Sequence, residues 1–185
     1  MSRALAPAQR RKNDAYYTPD ALAKALVKRL PSPGLFGRAI EPSCGAGAFL
    51  AAYRKRWPSS WAYGIDVEDH GQKVVADYLT WRPERKPTVV FGNPPYRHAE
   101  AFVRHSLDLV HPGGTVAFLL RMGFLASRRR YPMHRSTPPK RITILVERPS
   151  FTGGGTDACD YGWFVWEEGY KGPTYVDWLS WKGAA

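Results

Sequence analysis

Through its first two-thirds the chain alternates short apolar runs with stretches of helical period. That alternation constrains the fold more than any other feature of its 185 residues. "DALAKALVKRL" (20–30) puts apolar residues at 22, 23, 26, 27 and 30, with Asp20 near its start and Pro31 just past its end, which predicts a helix. "RAIEPSCGAGAFLAAYRKRW" (38–57) reads as a strand, a glycine-rich turn and a helix. "WAYGIDV" reads as a second strand ending at Asp66, "KVVADYLTW" as a short third one followed by a turn, and "PTVVFGN" as a fourth. "HAEAFVRHSLDLV" is an amphipathic helix ended by "HPGG", and "TVAFLLRM" is a fifth strand. This order predicts an α/β fold with a mostly parallel sheet and right-handed crossovers.

The last third changes character. Residues 123–140 are basic, contain three prolines and read as a loop. "RITILVERPSF" and "DYGWFVWEE" are strong strand patterns joined by a glycine-rich stretch, so an antiparallel hairpin is expected at the sheet edge. "TYVDWLSW" can add one short strand. The expected organisation is a basic arm over residues 1–13 and a single domain over 14–185. That length suits one domain with a sizeable core.

Ligands in open parallel sheets bind outside the carboxyl ends of the strands. The glycine turn, Asp66, Asp77 and Asn93 all fall at such ends. Gly45 and Gly47 lack Cβ, so a ligand or a strained backbone can come close. Asp66, at the next strand end, stands where an acid can take ribose hydroxyls. No lysine follows the turn, which argues against a phosphate-binding P-loop. A tight turn without a ligand is the plainer alternative, as is a capping role for Asp66.

The net charge of +11 points to a polyanionic partner, nucleic acid first. Cys44 and Cys159 form neither a metal-ligand pair nor a disulfide framework, and the five histidines are scattered, so no metal is expected. Without a leader-like start or a membrane-length apolar run, a soluble cytoplasmic protein is expected.

Together these segments resemble the S-adenosylmethionine-dependent N6-adenine DNA methyltransferases, in the motif order called gamma. The carriers are "YYTPDALAKAL" (16–26), "EPSCGAGAF" (41–49), "YGIDV", "ADYL", "GNPPY" and "GGTVAFLL". The resemblance implies a Rossmann-like methyltransferase fold with a seven-stranded sheet. It implies that Tyr17 and Thr18 lie near the methionine end of the cofactor. Glu41, Cys44, Gly45 and Gly47 would line the cofactor loop, with Asp66 on the ribose and Asp77 and Tyr78 at the adenine. Asn93, Pro94, Pro95 and Tyr96 would form the catalytic corner, with Asn93 also near the cofactor.

The chemistry of an exocyclic amino group explains that corner. Its lone pair is delocalised into the ring, so it needs acceptors for both hydrogens before it can attack. An Asn93 carboxamide and a Pro94 carbonyl can be those acceptors. Proline locks φ and holds the residue before it extended, so two prolines fix both groups in advance. Tyr96 offers a ring for the base. Phe151 is the candidate for the opposite face, with core packing as its other reading. A duplex base must be flipped out, or be met in a single strand.

Arg97 and "RRRYPMHR", with Arg128, Arg129, Arg130 and Tyr131, are candidate DNA contacts, and Arg10, Arg11 and Lys12 could add to them. The chain has no room for a separate recognition domain, which predicts a short or relaxed target, or recognition by a partner. Such a compact enzyme would suit a phage or mobile element. Cytosine N4, RNA guanine and protein glutamine are alternative targets, and a dead DNA-binding module is the non-enzymatic one.

Overall fold

In the computed structural model the described residues are 17–34, 37–151 and 157–183. The apolar runs become strands because each is short and rich in β-branched or aromatic residues, and the central ones are covered on both faces. Five parallel-paired strands come first: β1 (Arg38–Pro42), β2 (Trp61–Asp66), β3 (Val74–Val75), β4 (Val89–Gly92) and β5 (Thr115–Arg121). β6 (Arg141–Leu145), β7 (Tyr161–Glu167) and β8 (Tyr175–Leu179) complete one sheet in the order β3-β2-β1-β4-β5-β7-β6-β8. β7 runs antiparallel to both β5 and β6, while β8 runs parallel to β6.

Alternate residues of the central strands feed two cores. Phe91, Leu119 and Trp163 face one side, under α1 (Asp20–Val27) and α2 (Ala48–Arg56). Val90, Phe118 and Phe164 face the other, under α3 (Ala99–Leu109). Trp163 is fully buried and stacks on Phe49 with ring centroids 5.4 Å apart. Truncating such a ring costs about 3–5 kcal/mol.

The fold is the expected α/β class, with three differences in detail. The sheet has eight strands, not seven, because "TYVDWLSW" pairs along its whole β8 length with β6. The hairpin is therefore not the edge: β7 is inserted between β5 and β6, and β8 closes that side. Within 123–140, α4 (Tyr131–Ser136) is helical. Pro132 sits in its first turn, where a missing N–H costs nothing, and Met133 anchors it in the core. Residues 1–13, including Arg10, Arg11 and Lys12, lie outside the described residues. Among the described residues no helix is long and apolar enough to cross a membrane.

Candidate functional site

β1, β2, β3 and β4 all point their carboxyl ends to one edge, and the turns that follow enclose a cleft of about 670 Å³. After β1, Ser43 (φ 57), Gly45 (φ 47) and Gly47 (φ 78) adopt left-handed conformations within five residues. Gly47 is the N-cap of α2 and supplies no side-chain bond. Glu41 does so instead: its Oε2 accepts from the Leu50 amide at 2.7 Å, satisfying an otherwise orphaned helix donor. Burial pushes the Glu41 carboxyl well above the usual carboxylate range, partly offset by that amide, while the Asp66 carboxylate raises it further.

Asp66 closes the turn from the next strand. Its Oδ2 accepts from the Gly45 amide at 2.9 Å and its Oδ1 from the Glu68 amide at 3.1 Å. Cys44 is buried beneath, its thiol against Gly64, where a Cβ would come within 2.6 Å of Sγ. Burial, with Glu41 and Asp66 nearby, pushes that thiol up to about 12. Tyr17 stands over Gly45: a Cβ there would meet its ring at 3.4 Å. Asp77 lies on the cleft wall with its carboxylate turned to the Leu79 amide. Tyr78 also lines the cleft, but its ring packs under α3 and its hydroxyl bonds the Ser106 hydroxyl at 2.8 Å.

The corner after β4 completes the cleft. Gly92 has φ 147, and a Cβ would come within 3.2 Å of Glu41 Cγ. The backbone conformation favours glycine, and a Cβ would fit only if the Glu41 side chain gave by a few tenths of an ångström. Asn93 and Pro95 line the cleft, Pro94 is buried behind them, and Arg97 and His98 form its rim. A 3-10 turn over Tyr96–His98 leads into α3. Asn93 Nδ2 donates to Thr18 Oγ1 at 3.3 Å across 75 residues of chain.

The aromatic candidates lie elsewhere. Tyr96 packs against both cores, with the Arg121 guanidinium 4.8 Å from its ring centroid and the Tyr161 ring at 5.6 Å. Phe151 had two readings, a ring beside the base or core packing. It is only 6% exposed and sits in the core, edge-on to Tyr161 at 5.2 Å.

Sequence reading missed the polar cluster beside these rings. Arg121 Nε donates to the Tyr161 hydroxyl, which donates to Asp157 Oδ2 at 2.8 Å. A charged residue at the end of an otherwise apolar β5 was the available signal.

The basic segment divides. Arg130 donates to the carbonyls of Phe124 and Gly123, so it holds the loop together and is a structural residue rather than a free contact. Arg129 pairs with Glu100 at 3.4 Å, while Arg128 and Tyr131 are exposed. Among the described residues, no group of three or more His, Cys, Asp or Glu side chains is gathered to hold a metal.

No family model matches this chain. A type II methyltransferase of Thermus thermophilus is 26% identical over 226 aligned positions, covering 90% of this chain and 51% of the relative. A type II methyltransferase of a Paramecium bursaria Chlorella virus is 30% identical over 81 positions, 38% of this chain and 21% of the relative. The chain thus spans about half, or less, of the curated relatives it matches. Among solved structures, a type I restriction-modification methyltransferase subunit of Streptococcus thermophilus superimposes with TM-score 0.70 at 15% identity, over 88% of this chain and 47% of that one. The 23S rRNA methyltransferase ErmE superimposes with TM-score 0.63 at 16% identity, over 83% and 70%. The fold is therefore the Rossmann-like methyltransferase fold.

Proposed function

We propose that this chain transfers a methyl group from S-adenosylmethionine to the exocyclic N6 amino group of adenine in DNA. The observation that carries the reading is Asn93: a carboxamide held by a double-proline corner on the same cleft as the Gly45–Asp66 turn.

The residues present fit the cofactor. The cleft has room for a nucleoside with an amino-acid tail. Asp66 holds the turn through Gly45 and faces the cleft with a carboxylate suited to ribose hydroxyls. The start of α2 opens onto the cleft. Bound there, S-adenosylmethionine supplies an electrophilic methyl on a sulfonium. The chain's own contribution is to the other reactant. Asn93 Oδ1 and the Pro94 carbonyl accept the two amino hydrogens and turn the lone pair toward the cleft. The two prolines restrict the backbone of this corner, which supports acceptors fixed in advance of charge developing on nitrogen.

The +11 charge and the exposed Arg97, Arg128 and Tyr131 support a nucleic-acid substrate. The type II and type I restriction-modification relatives favour DNA.

The test uses labelled S-adenosylmethionine with duplex DNA, single-stranded DNA and structured RNA in separate incubations, followed by mass identification of the modified nucleoside. N6-methyladenine from DNA is the expected product. N4-methylcytosine would move the target base, label confined to RNA would move the substrate, and no label from a cofactor-binding protein would overturn the reading.

A further inference from the structure

Resting on that reading, we infer that the open cavity beside α4 is a second nucleotide site, which takes an unpaired nucleotide of the DNA outside the methyl-transfer cleft. The cavity, of about 470 Å³, is lined by Leu125, Ser127, Arg128, Tyr131 and His134. None of these five residues lines the cleft at the strand ends.

The wall of this cavity is pinned from behind. Phe124 is buried, edge-on to Phe164 and Trp166. The Arg130 guanidinium lies 4.9 Å from the Phe124 ring centroid and donates to the Phe124 and Gly123 carbonyls. His134 donates from Nε2 to the same Phe124 carbonyl at 3.3 Å, and Met133 is buried beside it. Arg129 is held by Glu100 in the first turn of α3, the helix that follows the Asn93 corner. The cavity is therefore tied to the flank of that corner.

Two of three consecutive arginines thus hold the loop, and the third does not. Among the described residues the Arg128 guanidinium has no ion-pair or hydrogen-bond partner, and it is exposed. Three residues on, Tyr131 is 61% exposed and packs on no other ring. Single exposed aromatics are ordinary. A bare ring and an unpaired guanidinium on one pinned cavity wall are a matched pair. The guanidinium suits a phosphate and the ring suits a base face. Leu125, 38% exposed, adds an apolar surface beside them.

In a duplex both faces of a base are covered by its stacked neighbours. Only a base outside the stack can offer a face to Tyr131. The cavity therefore selects single-stranded or locally opened DNA. The opening that brings a target base to the cleft also frees the nucleotide this site needs.

The experiment uses the full chain and needs no knowledge of the target sequence. Single-stranded oligo(dT) carrying 5-iodouracil is bound and irradiated, and the expected crosslink falls on Tyr131. Affinities for oligo(dT) and for a duplex of the same length are then measured by fluorescence anisotropy. Tyr131→Ala should weaken oligo(dT) binding about 5–100-fold, the scale of one base–aromatic stack, and Tyr131→Phe should stay within about twofold. Duplex affinity should change less than about twofold in both. Arg128→Ala should lower the slope of log affinity against log salt by about 0.7, one phosphate contact on a single strand, and Arg128→Lys should restore it. Unchanged affinity for S-adenosylhomocysteine in all four variants shows that the cleft is intact.

Equal losses on duplex and single strand in Tyr131→Ala, or a loss on neither, would overturn the site. A wild type that methylates DNA while Tyr131→Ala binds oligo(dT) normally would sink the site and keep the methyltransferase reading. A wild type without transfer, whose oligo(dT) affinity still depends on the Tyr131 ring, would do the reverse.

Discussion

The two sides of the cleft are built on opposite plans. The glycine-turn side is open and assembled from short-range pieces: Glu41, Cys44, Gly45 and Gly47 lie within seven residues, and Asp66 reaches them from the adjacent strand. The Asn93 side is closed and assembled from distant ones. Tyr96 is wedged between Arg121 and Tyr161, and Phe151 comes from beyond β6. An open cradle can receive a small molecule as it stands. A substrate base stacking on Tyr96 must share the ring with a guanidinium already seated against it.

This contrast can be broken by four substitutions. The largest effect belongs to Asn93→Ala, which should lower methyl transfer about 100–1,000-fold, the range for loss of one preorganised group. Its cofactor affinity should stay near wild type in a calorimetric titration. Near-normal turnover would detach the double-proline corner from catalysis. Asp66→Ala should act on the other side, weakening cofactor binding about 10–100-fold, since it removes charged hydrogen bonds worth about 1.5–3 kcal/mol. If DNA affinity fell instead, the two sides would have been assigned the wrong way round.

Arg121→Ala sharpens the comparison. A partly exposed cation–π contact is worth about 1 kcal/mol, so KM for DNA should change about fivefold while cofactor affinity holds. An unchanged KM would make the Arg121–Tyr161–Asp157 cluster purely structural.

The smallest effect is a pH-dependent one. The folded state raises the Glu41 carboxyl above its ordinary 4.5, so ionising it opposes folding. Wild type therefore loses stability as pH rises from that ordinary value through the raised one, and Glu41→Gln removes the loss. Thermal melts should show Glu41→Gln more stable by about 2–4 °C at pH 8, equivalent to about 1 kcal/mol, and no better at pH 4. A gain at pH 4 but not at pH 8 would contradict the burial of that carboxylate.

The same contrast decides what could be read from the sequence. The α/β class and the strand ends around the cleft were legible because apolar period and glycine position are local signals. Residues 41–47 carried their arrangement almost entirely within themselves. β8 was faint because its exposed Tyr175, Val176 and Trp178 break the usual alternation of a half-buried strand. The insertion of β7 between β5 and β6 is a matter of long-range pairing that no local pattern records. Phe151 was left open between two readings and Arg130 was assigned to DNA for one reason. An aromatic ring and an arginine look alike in sequence whether they face solvent, ligand or their own chain, and only the fold showed Phe151 in the core and Arg130 on the Phe124 and Gly123 carbonyls.

The close approach of Gly92 and Glu41 couples two separate turns. The two residues are 51 positions apart, in different motifs, yet the space beside one is filled by the side chain of the other. A side chain at 92 would press on the Glu41 stem, and a shift there would disturb the acceptor of the Leu50 amide. A library randomised at both positions should therefore return correlated survivors rather than independent ones.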